Sequence, residues 1–96
     1  MVASALLKGD VDADDLVDPR VAVFFYANER NEPIHVHCRK GSSEAKHWLD
    51  VDAFEAIEAH AYNMSPADKR TVRRIIFEHF DYIVSEWRKF QEKKNG

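Results

Sequence analysis

Asn28–Leu49, NERNEPIHVHCRKGSSEAKHWL, is the stretch that decides the fold. A polar turn around Asn28, Asn31 and Pro33 opens it. Ile34–Arg39 then alternates: Ile34, Val36 and Cys38 point one way, His35, His37 and Arg39 the other. Lys40-Gly41-Ser42-Ser43 is a tight turn, and Glu44–Leu49 returns as a second strand. A short hairpin loop pairs Arg39 with Glu44, His37 with Lys46 and His35 with Trp48. This register puts Glu44, Lys46 and Trp48 on the histidine face. Ala45, His47 and Leu49 join Ile34, Val36 and Cys38 on the apolar face.

Upstream, Val21–Ala27 (VAVFFYA) is β-branched and aromatic, with apolar residues on both alternating faces, the pattern of a covered or central strand. It pairs antiparallel with the strand of His35 and His37. Before it lies an acidic stretch, with Asp10, Asp12, Asp14, Asp15 and Asp18 close together. A calcium loop starting at Asp10 would need glycine and glutamate where Asp15 and Val21 stand, so a solvated connector is expected. Residues 1–9 are expected to form a short helical turn through Ala3, Ala5, Leu6 and Leu7, closed by Gly9. Residues 1–19 thus read as an acidic N-terminal extension, and 20–96 as one domain.

Downstream, Asp50 or Asp52 caps an expected short helix through Ala61, with Val51, Phe54, Ile57 and Ala61 at helical spacing. Ser65-Pro66-Ala67-Asp68 is a helix start: a cap serine, proline at the first position and an acid three residues after the cap. A long helix is expected from there to about Glu92. Its stripe is Val72, Ile75, Ile76, His79, Phe80, Ile83, Trp87 and Phe90. The expected fold is therefore α+β: a three- to four-stranded antiparallel β-meander packed on one face by a short helix and a long C-terminal helix.

The chain has 96 residues, 45% of them hydrophobic and 32% charged, which is the composition of one globular domain with a modest core. A net charge of −3 argues against non-specific nucleic-acid binding. The charge is uneven: the last 31 residues carry +3 and the rest −6. The single cysteine, Cys38, fits a reducing cytoplasm. No apolar run approaches the roughly 18 residues of a membrane span, and MVASALLKG lacks the apolar length and basic leader of a signal peptide.

The run FFYANERNEPIHVH, then EAKHWLD, then a capped helix holding EH and EW, resembles the bacterial and archaeal domain of unknown function 4160. Asn28, Glu29, Asn31, Glu32, Pro33, His35, His37, Glu44, Ala45, Lys46, Trp48, Leu49, His79 and Trp87 fall on the family pattern. Ile34 replaces a usual second proline, and His47 stands where an aromatic is common. The resemblance covers residues 20–92 and implies a small α+β domain with no established activity. It also implies a toxin–antitoxin association, because genes of the family often sit beside another small domain of unknown function.

Three functional readings compete for the histidine face. His35 and His37, about 6–7 Å apart on one strand face, could be two ligands of a divalent metal such as zinc, with further ligands to be found. The same imidazoles could act as acid and base in RNA cleavage, with Lys46 and Arg39 offsetting phosphate charge and Trp48 stacking a base. The third reading makes Tyr26, Arg39, Glu44 and Trp48 a binding surface for a protein partner or a second copy. Nucleic-acid binding by Lys69, Arg70, Arg73 and Arg74 is not favoured over a solvated face in which Arg74 pairs with Glu78. The expectation is a small cytoplasmic protein-interaction module, with an RNA-cleaving or metal-assisted hydrolase using His35, His37 and Lys46 as the alternative.

Overall fold

The computed structural model describes residues 3–7, 20–26 and 32–95. Five antiparallel strands form one sheet in chain order: β1 (Ala3–Leu7), β2 (Ala22–Tyr26), β3 (His35–Lys40), β4 (Ser43–Asp50) and β5 (Glu55–Tyr62). Two helices follow, α1 (Pro66–Glu78) and α2 (Phe80–Asn95). The expected α+β architecture is thus present, an antiparallel meander with two helices. The acidic residues 10–18 and the turn at 28–31 lie outside the described residues.

The central hairpin has the register read from the sequence: Arg39 opposite Glu44, His37 opposite Lys46, His35 opposite Trp48. Gly41, with φ of +61°, makes the turn in the left-handed region that side chains with a Cβ disfavour. β2 joins with Val23 opposite Cys38 and Phe24 opposite His37. One face of the sheet therefore presents Val23, Phe25, Val36, Cys38, Leu49 and Ala56 to Val72, Ile75 and Ile76 of α1 and Phe80, Ile83, Val84 and Trp87 of α2. The helix residues recur at i, i+3 and i+4, which makes a single apolar stripe.

Three local expectations are corrected. The segment expected as a short helix to Ala61 is a turn followed by β5, and His60 is a strand residue. Glu- and Ala-rich sequence favours helix only weakly. A whole open edge of β4 offers Leu49 to Ala56 and Trp48 to Ile57, and that pairing outweighs local propensity. The turn is closed by Asp50, whose carboxylate accepts from the N–H of Ala53. It holds Phe54 at φ of +52°, with its ring 4.7 Å from Phe80 and 5.3 Å from Phe77. Ring packing onto the helices thus compensates a backbone conformation costly for a bulky residue. The expected long helix is interrupted at His79, the C-cap of α1, whose N–H still donates to Ile75 O. Ala3–Leu7 pairs with β2 as a strand, not a helical turn.

Ser65 starts α1 as expected: its hydroxyl accepts from Asp68 N–H, and the Asp68 side chain accepts from Ser65 N–H. Asp68 also takes the Lys40 ammonium at 2.8 Å. Chiefly that contact holds its carboxyl below the usual range. Ser65→Ala is expected to cost about 1 kcal/mol, read as a lower urea midpoint at unchanged slope.

Candidate functional site

Alternation places Phe24 and Tyr26 of β2, His35, His37 and Arg39 of β3, and Glu44, Lys46 and Trp48 of β4 on the sheet face away from the helix core. All seven residues nominated from the sequence lie there in one cluster. Glu44 is the hub of its outer part. Arg39 Nη2 donates to Glu44 Oε1 at 3.1 Å and to the Tyr26 hydroxyl at 2.8 Å. The Tyr26 hydroxyl donates to Glu44 at 3.3 Å, and His37 Nδ1 lies 3.5 Å from the same carboxylate. Burial first, and then the Glu44 charge, push the Tyr26 phenol above its ordinary value. The hydrogen bond to Glu44 raises the Arg39 guanidinium further.

The inner part is aromatic. The His37 ring stacks on Phe24 at 5.5 Å and meets Tyr26 edge-on at 4.6 Å. His35 meets His37 at 5.3 Å and Trp48 at 5.4 Å. It also touches Trp87 of α2 at 5.0 Å, which joins this cluster to the core. His35 Nδ1 is 2.8 Å from the carbonyl of Pro33, so that nitrogen carries a proton and donates it there. Lys46 Nζ sits 2.6 Å from Glu32 Oε1 and over the Trp48 ring at 4.4 Å.

The face differs from the expectation in one respect that matters for chemistry. His35 is 0%, His37 3% and Lys46 8% exposed. Their polar contacts run to Pro33, Glu44 and Glu32 of the same chain. Glu32 and Trp87, not nominated for the site, complete the cluster. Glu32 could have been found from its place in the family motif; the Trp87 contact depends on how α2 lies.

The His35 and His37 rings remain neighbours, as a two-ligand metal reading requires. Among the described residues no group of three His, Cys, Asp or Glu side chains is placed to hold a metal ion. A groove of about 630 Å³ opens where Pro33 and Ile34 face Val51, Val84, Trp87 and Arg88; neither His35 nor His37 lines it. Burial pushes the Cys38 thiol up to about 12, so it is an inert core residue on the opposite face.

His47 points to the helix side, opposite Val36, as the alternation predicts. It is buried, and its Nδ1 has no hydrogen-bond partner among the described residues. Burial lowers its pKa, with Arg73 and His60 adding to the shift and Glu58 opposing it. The unfolded chain therefore takes up this proton at a higher pH than the folded chain does. The contribution of neutral His47 is complete above about pH 6.5 and is lost as pH falls through the depressed folded value. Over that window stability is expected to fall by up to about 1.4 kcal/mol per pH unit. His47→Gln should flatten this dependence when urea midpoints at pH 7.5 and 5.5 are compared.

Two cations of α1, Lys69 and Arg73, are engaged with β5, and a third, Arg74, pairs within the helix. Arg73 reaches Glu55 at 2.7 Å, Lys69 lies 3.6 Å from Glu58, and Arg74 pairs with Glu78 at 3.2 Å. The large apolar side chains left exposed among the described residues are Val51 and Phe54 in the turn, Ile57 and Tyr62 on β5, and Tyr82 on α2. None of the helices is long and apolar enough to cross a membrane, among the described residues.

Fold and site together define a small α+β domain: a five-stranded meander whose outer face carries a buried His-x-His cluster. A family model, Domain of unknown function (DUF4160), matches residues 21–88, and the chain belongs to that family. Searches of curated proteins and of solved structures returned no match.

Proposed function

We propose that the chain is a protein-interaction module whose contact surface is the β5 side of the sheet. The observation that carries this reading is the exposure of large apolar side chains on an edge strand of the sheet. The cations of the histidine face are matched by carboxylates of the same chain. Ile57, 51% exposed, and Tyr62, 70% exposed, stand on the edge strand β5, and exposed Val51 and Phe54 lie in the turn that leads into it. Exposed apolar groups gathered in one place mark contact surfaces.

The finer reading is a toxin–antitoxin component that binds the product of its neighbouring gene. Co-purification of the two untagged proteins, lost on combining Ile57→Glu with Tyr62→Glu, is the expected result. Failure of the wild-type chain to co-purify removes the toxin–antitoxin reading, and co-purification untouched by the two substitutions removes β5 as its surface. A second reading rests on the His37–Glu44 contact, an imidazole–carboxylate pair of the kind used in acid–base chemistry. It predicts RNA cleavage, or stoichiometric zinc in untagged protein, abolished by His37→Ala; metal-free protein without ribonuclease activity eliminates it.

A further inference from the structure

β5 is the last strand of the sheet, so one side of its backbone faces outward. The hydrogen bonds show which residues do so. Leu49 N–H donates to Ile34 O at 3.1 Å, so Leu49 turns toward β3. Its opposite number on β5, Ala56, therefore turns to the open edge. Alternation makes Glu58 the next outward residue. The register shift between Lys46 and His47 inserts one residue, after which Ala61, opposite Ala45, is outward again. Side chains divide likewise: Ile57, His60 and Tyr62 share the outer face with Trp48, Lys46 and Glu44, while Ala56, Glu58 and Ala61 lie on the helix side.

The edge is closed at one of these places. The Ala56 carbonyl accepts from Arg73 Nη1 at 2.6 Å, and the Ala56 N–H donates to Glu55 Oε1 at 3.0 Å. The same two side chains bind each other at 2.7 Å. Such a clamp protects an edge from strand addition. It covers Ala56 and not the remainder of the strand.

We propose that the open part of β5 pairs antiparallel with β5 of a second copy, about a two-fold axis between Ala59 and His60. This rests on the interaction reading above and names its partner. An antiparallel neighbour must set outward residues against outward residues and keep each side chain on its own face. Registers that use Ala56 compete with the Arg73–Glu55 clamp. Setting Glu58 against the partner's Glu58 opposes like charges. Setting Ala61 against the partner's Ala61 leaves a pairing only three residues long, His60 to Tyr62. Glu58 against the partner's Ala61 avoids all three faults and runs from Ile57 to Tyr62. It stops at the clamp on one side and at Asn63, with φ of +57°, on the other. It also places Ile57 opposite the partner's Tyr62, twice by symmetry. The two most exposed apolar side chains of β5 then cover each other. Six residues a side make a small contact, in the class of weak, reversible association.

The test is sedimentation equilibrium of the full chain from about 10 μM to 1 mM, the range of a weak, small contact. A monomer–dimer equilibrium is expected, weakened roughly tenfold or more by Ile57→Lys, with the circular dichroism of the variant unchanged because the residue is half exposed. Register is read by cross-linking with oxidised glutathione. The double variant Ile57→Cys with Tyr62→Cys is expected to give a disulfide-linked dimer, and Ile57→Cys with His60→Cys is not; native Cys38 is buried and does not compete. A monomer at every concentration, a dimer indifferent to Ile57→Lys, or cross-linking by the second pair overturns the proposal. If the chain stays monomeric yet captures the neighbouring gene product through Ile57 and Tyr62, the second copy alone is refuted. If it does neither, the interaction reading fails with it.

Discussion

Phe25→Ala is expected to lower the free energy of unfolding by about 3–5 kcal/mol. Phe25 is buried at the centre of the core, its ring 5.2 Å from Trp87 in edge-to-face contact and 5.4 Å from Phe90. It is the point where β2 meets the second half of α2, so truncation removes the burial of a whole ring and leaves a cavity between two elements that cannot both close on it. A domain of this size has a total stability of only about 5–15 kcal/mol. The variant should therefore sit near its unfolding transition at 37 °C. Urea denaturation followed by near-ultraviolet circular dichroism measures it, with Phe25→Leu expected to lose less than half as much because most of the volume is kept. An unchanged midpoint for Phe25→Ala would mean that α2 does not dock on β2 as described.

His35→Ala is expected to cost about 2–4 kcal/mol, a core-like penalty for a residue whose place in the His-x-His pattern suits a ligand or catalyst. Its ring is fully buried among His37, Trp48 and Trp87, and its Nδ1–H satisfies the Pro33 carbonyl. Truncation would lose the ring's packing and leave that carbonyl without its donor. His35→Asn offers an amide N–H near the place of Nδ1 and is expected to recover about 1 kcal/mol, the net worth of one hydrogen bond. Both tryptophans in contact with the ring make the change visible in fluorescence. A histidine held only for metal or catalysis would show the opposite pattern: little loss of stability for His35→Ala and no benefit from asparagine.

The histidine cluster shows how much of a site can be read from spacing alone. Period-two alternation and a short turn were enough to put His35, His37, Arg39, Glu44, Lys46 and Trp48 on one face with the correct partners. They were equally enough to send His47 to the helix side. Alternation has no term for depth, however. Whether a face is wet or covered depends on what lies over it and at its ends, such as Trp87 arriving from 52 residues downstream of His35 in the chain. The polar face was legible as a face, and its burial was not.

β5 shows the same division in secondary structure. EAIEAHAY suits a helix by local propensity, and only the free edge of β4 makes it a strand. The Arg73–Glu55 clamp that closes part of its own edge joins residues 18 positions apart on different elements, invisible to any local pattern.

By itself, then, the sequence determined what short-range sterics control. These are the strands β2 to β4 and the register of the β3–β4 hairpin, the capped start at Ser65, the apolar stripe of the C-terminal helices and membership of the family. Tertiary structure alone decided the state of residues 50–62, the break at His79, the burial of His35 and His37, and which strands stand at the edges of the sheet. The physical reason is range: backbone sterics and side-chain periodicity act within a few residues, whereas burial and edge pairing depend on elements brought together from distant parts of the chain.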